Sequence, residues 1–300
     1  MLTVGQEHRD PMKINIGDSL YAVTFSPNGE YILSGSLDGV QVWRVEDGKQ
    51  MATMEAPYLR CLAMSNDGEW IAAGTSPGDM HVWDAKTYKE VSSHREDSDT
   101  INGVDFSPDS TRLVSASDNC TAIVWDIATR ERVQTLRHEG SVLAAKYSPQ
   151  GDQIATATRH SVRVFDSNDG RLLVDIKAAV TQWYNTGLVW FNNHLLVVSE
   201  GAVKQFEAST GSAVSQWPVP DTNIYSCIAL PGHGEFIAYS AERTVTFWDM
   251  TTHTQLGLIQ HPQRIRSIAL SPDDLFIATG GEDGKIIVER PSRIIVSSMC

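Results

Sequence analysis

The segment that comes nearest to a phosphate-binding loop is Gly280-Gly281-Glu282-Asp283-Gly284-Lys285. Such a loop cradles phosphates on backbone N–H groups, with a Gly five places before its last Gly and a hydroxyl after its Lys to hold magnesium. Thr279 and Ile286 occupy those two places here, so a turn between strands explains the segment better. Asp166-Ser167-Asn168-Asp169-Gly170 begins like a calcium loop, but its Gly falls one place early and Lys177 stands where the closing Glu belongs. It reads as a hairpin turn. The nine His and four Cys form neither a two-His helical pair nor a Cys–His cluster. His138 and His261 read as structural, and a hydrolase-type nucleophile elbow is not expected. No metal, cofactor or enzymatic activity is therefore expected, although groups brought together from distant positions would leave no contiguous motif.

Composition narrows the class of function further. At 300 residues with 41% hydrophobic and 20% charged residues, the chain has the make-up of a folded globular protein. It can bury roughly 75% of its unfolded surface without a disulfide or metal staple. The net charge of −13 opposes general nucleic-acid binding, which needs Lys and Arg to displace counterions, and attraction to anionic lipid. No apolar run reaches membrane-spanning length, and residues 1–16 are too polar for a secretory signal. Cys61, Cys120, Cys227 and Cys300 lie far apart, as in a reducing compartment. The expected location is intracellular, cytoplasmic or nuclear, with no membrane and no nucleic-acid partner.

The elements that must carry these residues repeat. An aromatic followed by a polar residue recurs at Trp43-Arg44, Trp83-Asp84, Trp125-Asp126, Phe165-Asp166, Phe206-Glu207 and Trp248-Asp249, and Glu289-Arg290 stands at the seventh place. Successive copies are 40, 42, 40, 41, 42 and 41 residues apart. Each unit opens with a short apolar strand such as Leu20–Phe25 or Ile265–Leu270. A turn follows, as in Ser26-Pro27-Asn28-Gly29 or Ser271-Pro272-Asp273-Asp274, where Pro presets φ for the first central position. A second strand, a polar turn, a third strand ending near the aromatic and a less apolar fourth strand complete the unit. Four short strands per unit of about 40 residues describe a propeller blade. The expected fold is all-β: a seven-bladed β-propeller of four-stranded antiparallel blades. It forms one domain over 1–300, with blades near 20–54, 58–94, 101–136, 141–176, 185–217, 224–259 and 264–300. Lys13–Ile16 is the preferred strand to close the last blade, with Ile294–Val296 as the alternative. Closure matters because an open ring leaves an exposed edge.

On these residues the chain resembles the WD-repeat family, which includes the propellers of heterotrimeric G-protein β subunits and the repeat arrays of fungal incompatibility proteins. The resemblance runs from about Leu20 to Glu289. It implies a hydrogen-bonded tetrad of His, Ser or Thr, Asp and Trp in each blade. Blade three offers Ser115, Asp118 and Trp125 with Asp97 near the His slot, and blade one offers Ser34, Asp38 and Trp43. Blade four has His138 and Thr156 but Phe165 for the Trp. Blade seven has His261, Thr279 and Asp283 but Glu289 for the aromatic. Fewer than 20 residues precede blade one, too few for the long coiled-coil helix of a G-protein β subunit.

The resemblance also implies that the loops before each first strand and after each second strand open on one face around the axial channel, where peptides are captured. One variable residue of each first strand lies at that mouth: Tyr21, Arg60, Asn102, Leu143, Thr186, Ser226 and Arg266. Neighbouring loops add Tyr58, Trp183, Tyr184, Tyr225 and Arg264. Tyr, Trp and Arg bury large areas and still make polar contacts, so they dominate interface energetics. The candidate partner-binding residues are Tyr21, Tyr58, Arg60, Asn102, Trp183, Tyr184, Arg264 and Arg266. The expected function is a scaffold for protein or peptide partners. The alternative is a propeller enzyme or small-ligand binder using the axial channel.

Overall fold

The computed structural model describes residues 11–95, 99–178, 187–199, 201–219, 227–230 and 234–291. They form seven four-stranded antiparallel sheets, and no helix occurs among them. Six sheets run in simple sequence order. In the seventh, Ile265–Leu270, Ile277–Gly281 and Lys285–Glu289 are completed by Met12–Asn15 from the other end of the chain. Met12 lies opposite Val288, and Ile14 opposite Ile286. Ile14 is buried against Trp43 and Val288, so this strand joins the core as well as the ladder. Ile294–Val296 lies outside the described residues.

Burial follows position in the blade. The second strand of blade one, Tyr31–Ser36, is buried at five successive positions, whereas its fourth, Gln50–Glu55, buries only Met54. Inner strands have a neighbouring blade on each side and need apolar or small residues on both faces; outer strands keep one face in water. The seven core clusters each bridge two adjacent blades. Leu33, Val42 and Met54 of blade one meet Leu59, Leu62 and Trp83 of blade two, and Trp43 of blade one meets Ala278 and Ile286 of blade seven. The apolar burial that stabilises the molecule therefore lies between blades.

Glycine sets that spacing on the second strands. A Cβ on Gly35 would lie 2.3 Å from Leu59 Cδ2 in the next blade, and one on Gly280 would lie 2.1 Å from Leu20 Cδ2. The Ser-Pro turns also have a common mechanism. Ser26 Oγ accepts from the Tyr31 N–H at 2.9 Å and donates to Asn28 Oδ1 at 2.6 Å. Ser107 does the same with Arg112 and Asp109. One hydroxyl thus ties the end of the first strand to the start of the second.

Candidate partner-binding site

In five of the blades the first strand carries one residue more than its partner strand can pair. In blade one, Leu20 pairs with Ser36 and Ala22 with Gly35, which leaves Tyr21 as the extra residue. The same irregularity leaves Arg60, Asn102, Leu143 and Arg266 unpaired in blades two, three, four and seven. A β-bulge bends its strand and re-aims the side chain at the extra position. The five bulged residues are five of the residues that the sequence assigns to the mouth. The first strands of successive blades pack against one another around the ring, so the bulges surround the axis.

The loops at this end are joined by backbone hydrogen bonds. The Tyr58 N–H donates to Leu37 O at 2.8 Å, and the Glu282 N–H to Arg264 O at 2.9 Å. The loop before a first strand thus lies beside a loop following a second strand, on one face.

Blades seven, one and two bring their bulged residues together. The Arg266 guanidinium sits 4.7 Å from the centroid of the Tyr21 ring, and that of Arg60 sits 5.7 Å from the same centroid. Each such cation–π contact contributes about 0.5–1 kcal/mol when partly exposed. Arg266 Nη2 is 2.9 Å from Glu282 Oε1, and Arg264 Nε is 3.0 Å from Glu242 Oε2. Arg60 Nε donates to Ser76 Oγ at 3.2 Å. These bonds fix the orientation of the three arginines while leaving each partly exposed. Tyr58 is 58% exposed with φ of 60°, held by its N–H bond to Leu37 O, and Leu37 is itself exposed.

Three departures from the sequence reading stand out. Asn102 is only 3% exposed. Its amide donates to Asp118 Oδ1 at 2.8 Å and to Val142 O at 3.0 Å, so it joins blade three to blade four instead of facing a partner. Leu143 is likewise buried. Gly74-Thr75-Ser76-Pro77-Gly78 carries the Gly-x-Ser-x-Gly spelling of a nucleophile elbow, against the expectation that none occurs. It forms a strand–turn–strand with no helix after it, and the Ser76 hydroxyl lies against Arg60 and, at 3.4 Å, Thr100 Oγ1. Trp183, Tyr184, Thr186, Tyr225 and Ser226 lie outside the described residues. Glu242, Glu282 and Leu37 were not singled out from the sequence; only the fold puts the two glutamates beside arginines.

Parts of the implied tetrad are built. Trp43 Nε1 donates to Ser34 Oγ at 2.9 Å, and Trp125 Nε1 to Ser115 Oγ at 3.0 Å. The Trp125 ring is stacked by His94, 4.7 Å between centroids, from the fourth strand of blade two. In blade four, His138 meets the Phe165 ring edge to face at 5.6 Å. Among the described residues no group of three or more His, Cys, Asp or Glu is placed to hold a metal.

The sequence profile described as WD domain, G-beta repeat matches residues 12–40, 48–84, 86–126, 130–166 and 253–288. The chain belongs to the WD40 repeat family. The stretch between the last two matches contains blade five and most of blade six, whose strands the fold nonetheless supplies. Among similar proteins, periodic tryptophan protein 2 of Arabidopsis thaliana is 31% identical over 53% of this chain and 19% of its own length. The U3 small nucleolar RNA-associated protein 15 homolog of Xenopus laevis is 23% identical over 76% of this chain and 45% of its own. The transcriptional corepressor LEUNIG_HOMOLOG of Arabidopsis thaliana is 22% identical over 88% and 34%. The chain thus spans less than half the length of each of these relatives.

Proposed function

We propose that this WD40 propeller is a protein-interaction module, and that a partner docks on the mouth formed by blades seven, one and two. Tyr21, Arg60 and Arg266 form the anchor, with Arg264 beside them and Tyr58 and Leu37 as the adjoining apolar contact. The observation that carries this reading is the repeated bulge, which sets one residue of the first strand out of the pairing in five blades. At three adjacent blades that residue is Tyr or Arg, held by neighbours before any partner arrives, so little side-chain freedom is lost on binding. Trp183 and Tyr184 keep the role the sequence assigns them, as contacts in the loop preceding blade five.

The relatives' names support membership of an assembly, one by its association with a nucleolar RNA and another as a transcriptional corepressor. They favour the nucleus over the cytoplasm. The net charge of −13 favours the protein members of such an assembly over its RNA as the direct contact. Binding, not catalysis, is the role proposed.

Affinity capture from cell extract with mass spectrometry identifies the partner. The variant Tyr21→Ala/Arg60→Ala/Arg266→Ala lowers its capture at least about tenfold, the loss of one hot-spot contact. The melting temperature stays nearly unchanged. Undiminished capture by a folded variant sinks the reading.

A further inference from the structure

On the face opposite the mouth, the turns between first and second strands of neighbouring blades come close at several seams. Between blades three and four, a Cβ on Gly151 would lie 3.2 Å from Pro108 Cδ; between blades seven and one, a Cβ on Gly29 would lie 3.8 Å from Pro272 Cδ. Blade two is tied to blade three by Asn66 Nδ2, which donates to Pro108 O at 3.3 Å, and by the Asp67 N–H, which donates to Ser110 Oγ at 3.2 Å. The seam between blades one and two stands open. A Cβ on Gly68, the counterpart of Gly29 and Gly151, would have only Met64 Cε within 4 Å. A cleft of about 610 Å³ lies there, lined by Pro27 and Asn28 of one turn and by Asp67 and Gly68 of the other.

Two side chains shape it. Blades one, three and four end their first strands on buried aromatics, Phe25, Phe106 and Tyr147, whereas blade two ends on the half-buried Met64. Tyr88 has φ of 57° at a place where blades one, four and five carry Gly48, Gly170 and Gly211, and blades three and six carry Arg130 and His253. A bulky side chain there costs backbone strain that Gly avoids. Tyr88 packs on the core shared by blades one and two and, with Tyr31, flanks a floor of Leu33 and Ile71. The rim is acidic. Lys86 Nζ is 2.7 Å from Glu69 Oε2, but Asp67 and Glu30, the latter 2.9 Å from Asn28 Nδ2, form no ion pair among the described residues. Asp67 Oδ1 accepts from Ser65 Oγ at 2.6 Å and from the Glu69 N–H at 3.0 Å, which leaves Oδ2 for a ligand.

We propose that this cleft seats a short segment of a second protein partner, a large apolar side chain (Leu, Met or Phe) followed by a Lys or Arg. The apolar side chain rests on Leu33 and Ile71 between the two tyrosines, where the flexible Met64 thioether adapts to its shape. The cation meets Asp67 and Glu30 in charge-assisted bonds. The volume lies within the range of about 300–1,000 Å³ typical of ligand pockets. The same carboxylates repel a nucleic-acid strand or an acidic segment. The cleft shares no residue with the Tyr21 anchor and opens on the other face, so the ring can hold two partners at once and each site stands or falls separately.

The test uses the full chain and immobilised peptide pools, degenerate except for a central Leu-Arg, Ser-Arg or Leu-Glu. The Leu-Arg pool retains the protein at least about tenfold better than either of the others. The Ser-Arg pool controls for the attraction of any cation to a chain of net charge −13. Glu30→Gln/Asp67→Asn alters two exposed side chains, and Asn28 already fills the place of Asp67 in the turn of blade one. That variant brings the Leu-Arg pool down to the Leu-Glu level at an unchanged melting temperature. Met64→Phe, which supplies the aromatic of blades one and three, removes the advantage of Leu over Ser. Should it lower the melting temperature, the charge variant, which leaves the core untouched, decides alone. Tyr21→Ala/Arg60→Ala/Arg266→Ala keeps the preference. Equal retention on all pools overturns the proposal, as does a Leu-Glu pool that binds best. A preference that survives Glu30→Gln/Asp67→Asn, or that is lost in the folded mouth variant, places recognition elsewhere and overturns the site on this seam.

Discussion

His138 shows how one residue type takes its role from its surroundings. Burial, reinforced by the nearby Arg163 guanidinium, pushes its imidazole down to about 4 from an ordinary value near 6.5. Burial also lowers His261, and His94 likewise, with Arg130 and Arg132 adding repulsion. A depressed histidine pKa means that the unfolded chain takes up the proton first. Stability is thus intact above pH 6.5 and falls as the pH drops from 6.5 towards 4. For His138 alone the loss is on the order of 2–3 kcal/mol across that window. Thermal melts between pH 7 and 4.5 should show wild type losing more than His138→Gln; parallel curves would rule out His138 as the cause. The sequence reading of His138 and His261 as non-ligands rests on spacing alone. That His94 covers Trp125 could not be read from spacing, because the stacking partner comes from another blade.

At the scale of the strand, two devices repeat. The bulge on the first strand of five blades sets one residue out of the pairing, and the small residue on the second strand lets the next blade approach. Gly35 tests the second device. Gly35→Val would drive a side chain into Leu59, which is fully buried, and should cost about 1–3 kcal/mol, lowering the melting temperature by roughly 2–6 °C. Leu59→Ala on its own leaves a void, yet in combination it makes room for the valine. The double variant should therefore be less destabilised than the sum of the two singles; strict additivity would mean that the contact does not set the spacing. Strand order, turn chemistry and the aromatic period were legible because each depends on residues close in sequence. Asn102 shows the limit. Its place on the bulge was legible, but its burial depends on Asp118 and on the carbonyl of Val142 in the next blade.

For the whole molecule, closure is the decisive event. Core clusters bridge every pair of neighbouring blades, so each blade depends on the two beside it, and the strand Met12–Asn15 completes blade seven. Deleting residues 1–16 should uncover the edge of Lys285–Glu289, broaden and lower the thermal transition, and promote association through that edge. Calorimetry and size-exclusion chromatography measure both effects. A truncated chain that melts as sharply and as high as the parent, as a monomer, would show that Met12–Asn15 is dispensable.

The period of about 41 residues, the turn residues and the apolar alternation determined from sequence alone that the chain forms seven antiparallel blades, since each is a local property of neighbouring side chains. Family resemblance implied the channel mouth, and five of the seven first-strand residues assigned to it are the ones a bulge leaves out of the pairing. Only the tertiary structure decided which of them are buried and which stay partly exposed. That depends on contacts between blades tens to hundreds of residues apart: Tyr21 between Arg60 and Arg266, and Asn102 tied down by the next blade. Such contacts exist only once the ring has closed.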